Sequence, residues 1–325
     1  MKSIVFSALF FLAGVSNIYA QISNELETDS ITSATLVASS FISDNEGWIA
    51  DAEGVLRKTT DGCQTYSEVA IGMFFIKLDF INETTGFGLT TSAAYKTTDG
   101  GSTWSTFVLP GETGNALYFF DASKGFISGS GVVYKTANGG STWSALEIAE
   151  GITFRDYYFI SPALGIASAN DDSGYRSIWR TTDSGAHWIN VYDEENYFIN
   201  SVWFTSATTG WAAGYYNKMG WGMLPVINKT TDGGLTWKNI YINRYPGPTK
   251  GEEFLDIQFK NESEGFTIST FMENVYTTDG GLTWQFTYDD EGNSIIPDWG
   301  IYKILDGYSN LYLMGRNGYV TKWNN

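Results

Sequence analysis

The sequence predicts an all-β chain, folded as a seven-bladed β-propeller, on three observations. Six near-copies of Lys-Thr-Thr-Asp-Gly-Gly-Ser-Thr-Trp begin at Lys58, Lys96, Lys135, Arg180, Lys229 and Tyr276. A second recurring element precedes each copy: a strand ending in Phe, a polar turn, a Gly and a further apolar strand. The composition is 16% aromatic with 36 Gly, and little of it looks helical.

Each copy reads as a hairpin. In Tyr95-Lys96-Thr97 and Thr103-Trp104 the β-formers flank Asp99-Gly100-Gly101, a tight-turn sequence. Glycine takes positive φ without a Cβ clash, and Asp accepts hydrogen bonds from the amides just after it. The turn-stapling positions are Asp61, Asp99, Asn138, Asp183, Asp232 and Asp279. The aromatic position is filled by Trp104, Trp143, Trp188, Trp237 and Trp284, with Tyr66 in the first copy. An isolated hairpin is marginal in water, so each unit must stack on its neighbours to bury this ring. The stapling positions stand 38 to 49 residues apart, room for four short strands, the size of a propeller blade.

The upstream elements are Phe41 to Trp48, Phe80 to Phe87, Phe120 to Phe126, Phe159 to Ile166, Phe204 to Trp211 and Phe259 to Phe266. Each blade thus runs strand, turn, strand, loop, strand, stapled turn, strand. The end of the chain holds a truncated seventh copy: 300–306, 310–315 and 318–323 read as three strands. The missing fourth strand is expected from within Ile22–Ala34, which would close the ring and cover open sheet edges.

Met1-Lys2-Ser3, the apolar run Ile4 to Val15 and the small-residue tail to Ala20 read as a secretory signal peptide cleaved after Ala20. The organisation is therefore a signal peptide over 1–20 and one propeller over 21–325, with a secreted or periplasmic location. The apolar run is shorter than the ~20 residues of a spanning helix, so no membrane insertion is expected after cleavage.

The Lys-Thr-Thr-Asp-Gly-Gly-x-Thr-Trp copies resemble the Asp-boxes, or BNR repeats, of sialidase-type propellers. Together with the Phe, Gly, Trp/Phe element they most resemble the photosystem II stability/assembly-factor-like family, over essentially all of 21–325. That resemblance implies seven blades and a protein-binding, assembly role. The same boxes occur in sialidases, xyloglucan hydrolases and sorting receptors, so fold is not activity. One departure is charge. Photosynthetic members are associated with a basic surface patch, whereas this chain carries 19 Lys and Arg against 36 Asp and Glu, net −17. Such a balance disfavours nucleic acid and anionic membranes as partners.

Catalytic chemistry finds few supports. His187 is the only histidine and stands in the Thr slot of the fourth box, so no His-based zinc site or Ser/His/Asp triad is available. Cys63, the only cysteine, replaces a turn Gly, and no intrachain disulfide forms. The box acids belong to separate blades and staple turns; Asn138 fills the same role without a charge. No metal site or cofactor is expected. The sialidase Phe-Arg-Ile-Pro signature is absent; Phe154-Arg155-Asp156 is the nearest string. A two-carboxylate glycosidase needs acids about 5–10 Å apart. Asp156 and Asp256 are the candidates, each three residues before the terminal Phe of a first strand, near one mouth of the channel.

Binding is the stronger expectation. Four insertions, Ala169–Ser177, Tyr215–Val226, Asn243–Glu253 and Asp289–Asp298, all fall on the face opposite the stapled turns. Loops on a rigid scaffold are where binding usually resides. They bring Tyr175, Arg176, Tyr215, Tyr216, Lys218, Trp221, Arg244 and Tyr245 together on neighbouring blades, a hot-spot composition. The expected function is non-catalytic binding of a protein partner on this face. A carbohydrate-binding or glycoside-hydrolysing role is the alternative, since aromatic platforms also suit sugar rings.

Overall fold

The computed structural model describes residues 28–111, 116–171, 176–218, 222–242, 253–270, 274–287, 301–305, 311–315 and 319–323. Every regular element among them is a β-strand, arranged as an all-β propeller. Six four-stranded antiparallel sheets are each made from consecutive strands. They are blade 1 (36–70), blade 2 (77–106), blade 3 (117–147), blade 4 (153–192), blade 5 (197–242) and blade 6 (254–286). A further four-stranded sheet is composite. It runs from Thr28–Ser30 through Tyr319–Trp323 and Leu311–Gly315 to Ile301–Leu305. Against the expectation of seven blades, six are continuous runs of the chain, and the remaining sheet joins its two ends. Thr28–Ser30 falls inside the segment expected to supply the missing strand and pairs as Thr28↔Thr321, Asp29↔Val320 and Ser30↔Tyr319. The composite sheet packs between blade 6 and blade 1; Met314 and Val320 share a core with Leu36, Phe41 and Ile49. The proposed leader over 1–20 lies outside the described residues.

The second repeat now has a physical meaning. The terminal Phe of each first strand pairs directly with the repeat Gly, as in Phe41↔Gly47 and Phe80↔Gly86; in blade 3 that Phe is Phe119, paired with Gly125, and not Phe120 as the sequence spacing suggests. A Cβ on Gly47, Gly86 or Gly125 would meet that ring at 2.4 to 2.6 Å, so only hydrogen fits. The other side of the ring takes the aromatic that follows Gly in the preceding blade. Trp48 stacks on Phe80, Phe87 on Phe119 and Trp211 on Phe259, with centroids 3.7, 3.4 and 3.5 Å apart. In blade 4 the following residue is Ile166, which packs with Phe204 in the same place. The box tryptophans close the stack edge-on: Trp143 against Phe119, Trp237 against Phe204, Trp284 against Phe259. Edge-to-face pairs of this kind contribute about 0.5–1.5 kcal/mol beyond area burial.

The boxes staple their turns as expected, and more completely. Asp99 Oδ1 accepts from the Thr103 amide at 2.9 Å and from Thr97 Oγ1 at 2.8 Å, while Thr97 Oγ1 accepts from the Gly101 amide at 2.9 Å. The box cation reaches across to the next blade. Lys135 Nζ donates to Ser184 O at 2.9 Å, Arg180 Nε to Gly233 O at 2.9 Å and Lys229 Nζ to Gly280 O at 2.8 Å. On the way, Lys58, Lys96, Lys135 and Lys229 lie over the post-Gly ring of their own blade. One repeat therefore joins its own turn, its own core ring and the neighbouring blade.

Candidate binding face and central channel

The first strand of each blade lines the central cavity, and most of these strands are irregular at one point. Register shifts by one residue in blade 1 between Leu36 and Ala38, and in blade 4 between Phe154 and Asp156. The same shift occurs in blade 5 between Ile199 and Ser201, in blade 6 between Phe254 and Asp256, and in the composite sheet between Ile301 and Lys303. A bulge re-aims the strand's side chains. It brings Val37, Arg155, Asn200 and Leu255 to the cavity wall beside the residue that follows each of the last three, Asp156, Ser201 and Asp256.

The cavity has a volume of about 920 Å³. In its upper layer, Lys77 Nζ of blade 2 bonds Asp156 Oδ1 of blade 4 at 2.8 Å, spanning the short first strand of blade 3. Asp256 Oδ1 accepts from Ser201 Oγ at 2.6 Å and from the Ile257 amide at 2.9 Å. The residues just before the terminal Phe form a lower layer that laces blade to blade. Ser40 Oγ accepts from the Phe80 amide and Asp79 Oδ2 from the Phe119 amide, at 2.8 and 2.5 Å. Tyr158 donates to Phe204 O at 2.6 Å and Trp203 to Phe259 O at 2.9 Å. The lower layer holds the ring together. The upper layer is the part of the channel with side chains suited to meeting a ligand.

Asp156 of blade 4 and Asp256 of blade 6 both line this cavity, and each already has a donor. The box acids are scattered around the rim. Hydrogen bonds from the Thr65 and Thr103 side chains hold Asp61 and Asp99 down at about 2. Burial pushes the Asp183 carboxyl up, but the hydrogen bond from the His187 side chain and the other donors outweigh it, leaving it at about 2. Among the described residues, no cluster of His, Cys, Asp and Glu is able to hold a metal ion.

Of the expected binding residues, Tyr175, Trp221, Arg244 and Tyr245 lie outside the described residues. Arg176 and Lys218 are placed by backbone only, in the strands Arg176–Thr181 and Gly210–Lys218. Tyr215 and Tyr216 do come together with aromatics that sequence reasoning passed over. Measured from the terminal Phe, the first strand of blade 5 (Tyr197–Phe204) runs two residues longer than that of blade 6 (Phe254–Phe259). The extra residues pair as Tyr197↔Tyr216 and Phe198↔Tyr215. Phe198 and Tyr215 stack with centroids 4.4 Å apart; Tyr197 and Tyr216 are 4.7 Å apart on the alternate side. The signal was available: aligning the terminal phenylalanines leaves Tyr197-Phe198 as surplus aromatic residues ahead of the strand.

Residues 67–202 match the family described as Photosynthesis system II assembly factor YCF48. A solved structure of YCF48 bound to D1 peptide is similar at a TM-score of 0.69 and 21% identity, over 93% of this chain and 97% of that one. The chain is a BNR-type β-propeller resembling the photosystem II assembly-factor family. YCF48 from Cyanidioschyzon merolae is similar at a TM-score of 0.70 and 19% identity, covering 92% of this chain and 98% of that one. A GH74 xyloglucanase from Xanthomonas campestris is similar at a TM-score of 0.65 and 11% identity, over 92% of this chain and 54% of the enzyme. No curated protein sequence matches. At these identities the structural likenesses carry the fold, and function rests on the site. Among the described residues, no helix is long and apolar enough to cross a membrane.

Proposed function

We propose that this protein is a non-catalytic scaffold, secreted or periplasmic, that binds a segment of a protein partner on the face carrying the long loops of blades 4 to 7. On this reading the composite sheet counts as the last blade of a seven-bladed ring. The observation that carries it is the engagement of the channel carboxylates. Asp156 is bonded to Lys77 and Asp256 to Ser201, so neither stands ready as a glycosidase acid or nucleophile. Support comes from the YCF48-like sequence match and from the similarity to a structure of YCF48 with peptide bound.

A carbohydrate role is the second reading, favoured by the stacked Phe198–Tyr215 pair and by the likeness to the xyloglucanase fold. The two are separated by incubating the purified protein with a panel of polysaccharides, following released reducing ends and retention together. The scaffold reading expects neither. Release lost in Asp156→Asn or Asp256→Asn would overturn it in favour of a hydrolase. Retention without release, abolished by Tyr216→Ala or Trp221→Ala, would make it a lectin-like module.

A further inference from the structure

One stapled turn differs from the other five. Where Asp61, Asp99, Asp183, Asp232 and Asp279 hold their turns, blade 3 uses Asn138, and the residue after it is Gly139. Asn-Gly is the dipeptide in which a chain most readily attacks itself. The Gly amide nitrogen adds to the Asn side-chain carbonyl carbon, ammonia leaves, and a five-membered succinimide forms. Water then opens the ring to aspartate or isoaspartate. Glycine favours the first step because no Cβ hinders the approach. Asp61 and Asp99, with carboxyls at about 2, are ionised at neutral pH, and a carboxylate resists the same attack.

The folded turn keeps the reacting groups off this path. Asn138 is exposed, but Gly139 is buried. The Gly139 amide donates to Ser123 O at 2.7 Å, and the Gly139 carbonyl accepts from Lys96 Nζ of blade 2 at 3.2 Å. Gly139 takes a φ of 66°, with Ala122 O only 2.5 Å from where a Cβ would stand, so its backbone is closely packed. The side chain of Asn138 is held as well. Its Oδ1 accepts from the Thr142 amide at 2.9 Å and from Thr136 Oγ1 at 3.1 Å, and its Nδ2 donates to Thr142 Oγ1 at 2.8 Å. Ring closure requires the Gly139 amide to leave Ser123 and the Asn138 side chain to leave Thr142. The nucleophile is the deprotonated nitrogen, and an amide bonded within the protein gives up its proton on local opening.

We propose that Asn138 is a site of spontaneous deamidation that the folded turn holds closed, converting to aspartate or isoaspartate when the blade 3 turn opens. The two products differ in fit. Aspartate completes the turn as Asp99 does, where one carboxylate oxygen accepts from the Thr103 amide at 2.9 Å and the other from the Thr103 hydroxyl at 2.5 Å. Isoaspartate lengthens the main chain by one carbon and shortens the side chain by one, so it loses the match to Thr142 and Ser123. The site therefore keeps a covalent record of how often blade 3 opens, and the fold accommodates one of the two products.

The test incubates the purified full chain at mildly alkaline pH, native and in guanidinium chloride, and follows the mass of the peptide carrying residue 138. Peptide mapping keeps it apart from Asn317-Gly318, the other Asn-Gly of the chain. The unfolded chain deamidates at residue 138, and the native protein does so more than about tenfold slower, as expected of a turn bonded at several points. Thr142→Val removes the hydroxyl that accepts from Asn138. It raises the native rate about threefold, the modest share of one hydrogen bond. It leaves the unfolded rate unchanged, because residue 142 is not adjacent to the reacting pair. Asn138→Asp folds and melts no lower than the parent at neutral pH. Equal rates in the native and unfolded protein, or a native rate that does not rise in Thr142→Val, overturn closure by the turn. No deamidation of residue 138 in the unfolded chain overturns the site itself. A lower melting temperature of Asn138→Asp overturns the fit of the aspartate product.

Discussion

Trp48 of blade 1 lies flat on Phe80 of blade 2, with ring centroids 3.7 Å apart and planes 2° from parallel. Lys58 sits over the other side of the indole at 4.7 Å, and the indole N–H donates to Gly100 O in the box of blade 2 at 2.9 Å. The same layered contact recurs at Phe87–Phe119 and Trp211–Phe259. It is where the two sequence repeats meet, and it joins one blade to the next.

Truncating a stacked ring should therefore loosen two blades at once. Phe87 is fully buried. Phe87→Ala is expected to cost about 3–5 kcal/mol, and Phe87→Leu less than about 2, because leucine refills most of the volume. Urea denaturation followed by tryptophan fluorescence measures both; equal, small losses would contradict the layered contact.

The box acids set a pH dependence. Asp61, Asp99 and Asp183 have carboxyls at about 2 in the folded protein against an ordinary 3.8. A lowered folded value means that the stabilisation is fully present above 3.8 and is lost as pH falls towards 2. Melting temperature should accordingly drop between pH 4 and pH 2, most steeply near about pH 3, midway between the folded and ordinary values. Asp99→Asn should flatten part of that drop while keeping the turn. Asn138 shows how: its Oδ1 accepts from the Thr142 amide at 2.9 Å and its Nδ2 donates to Thr142 Oγ1 at 2.8 Å.

Blade 1 carries a buried ion pair. Arg57 Nη1 meets Asp51 Oδ2 at 2.6 Å, with both side chains nearly inaccessible. Asp51 Oδ1 also holds the Glu53 and Val55 amides, each at 2.9 Å. Arg57→Met leaves an uncompensated buried carboxylate and is expected to cost about 3–5 kcal/mol. Adding Asp51→Asn to that variant should recover part of the loss. A double-mutant cycle by chemical denaturation checks this; additive losses would show that the pair is uncoupled.

The short strand Thr28–Ser30 is the outer strand of the composite sheet. Removing residues up to Ser30 uncovers the edge of Tyr319–Trp323. The truncated protein should melt lower and associate with itself, since a bare strand edge templates pairing. Light scattering during a thermal ramp tests this; unchanged melting and solubility would show the strand to be dispensable.

Much of this architecture was legible because each repeat fixes its own partners within a few residues. Asp99 and Thr103 staple a local turn, and Phe80 needs Gly86 directly across the hairpin. The joining of the chain ends was legible from three terminal strands lacking a fourth. The bulges at Arg155, Asn200 and Leu255 were not, because a one-residue slip leaves no mark in a strand whose neighbours are all apolar or mixed. Nor was the Lys77–Asp156 bond: each residue stands three before the terminal Phe of its first strand, but that shared register does not say which blades meet across the channel. Asp156 and Asp256 could be placed at the channel from sequence, but their engagement with Lys77 and Ser201 could not.

The central claim is that the loop face of blades 4 to 7 binds a protein and that the stapled-turn face does not. The most direct measurement is photo-cross-linking in the organism that makes the protein, with a benzophenone side chain placed at either of two sites. Met223 lies beside the tip of the blade 5 hairpin, where it pairs with Asn217. Leu282 stands 84% exposed on the stapled turn of blade 6. The scaffold account predicts a discrete protein adduct from position 223 and none from position 282. Adducts from both positions alike, or from 282 alone, would contradict it.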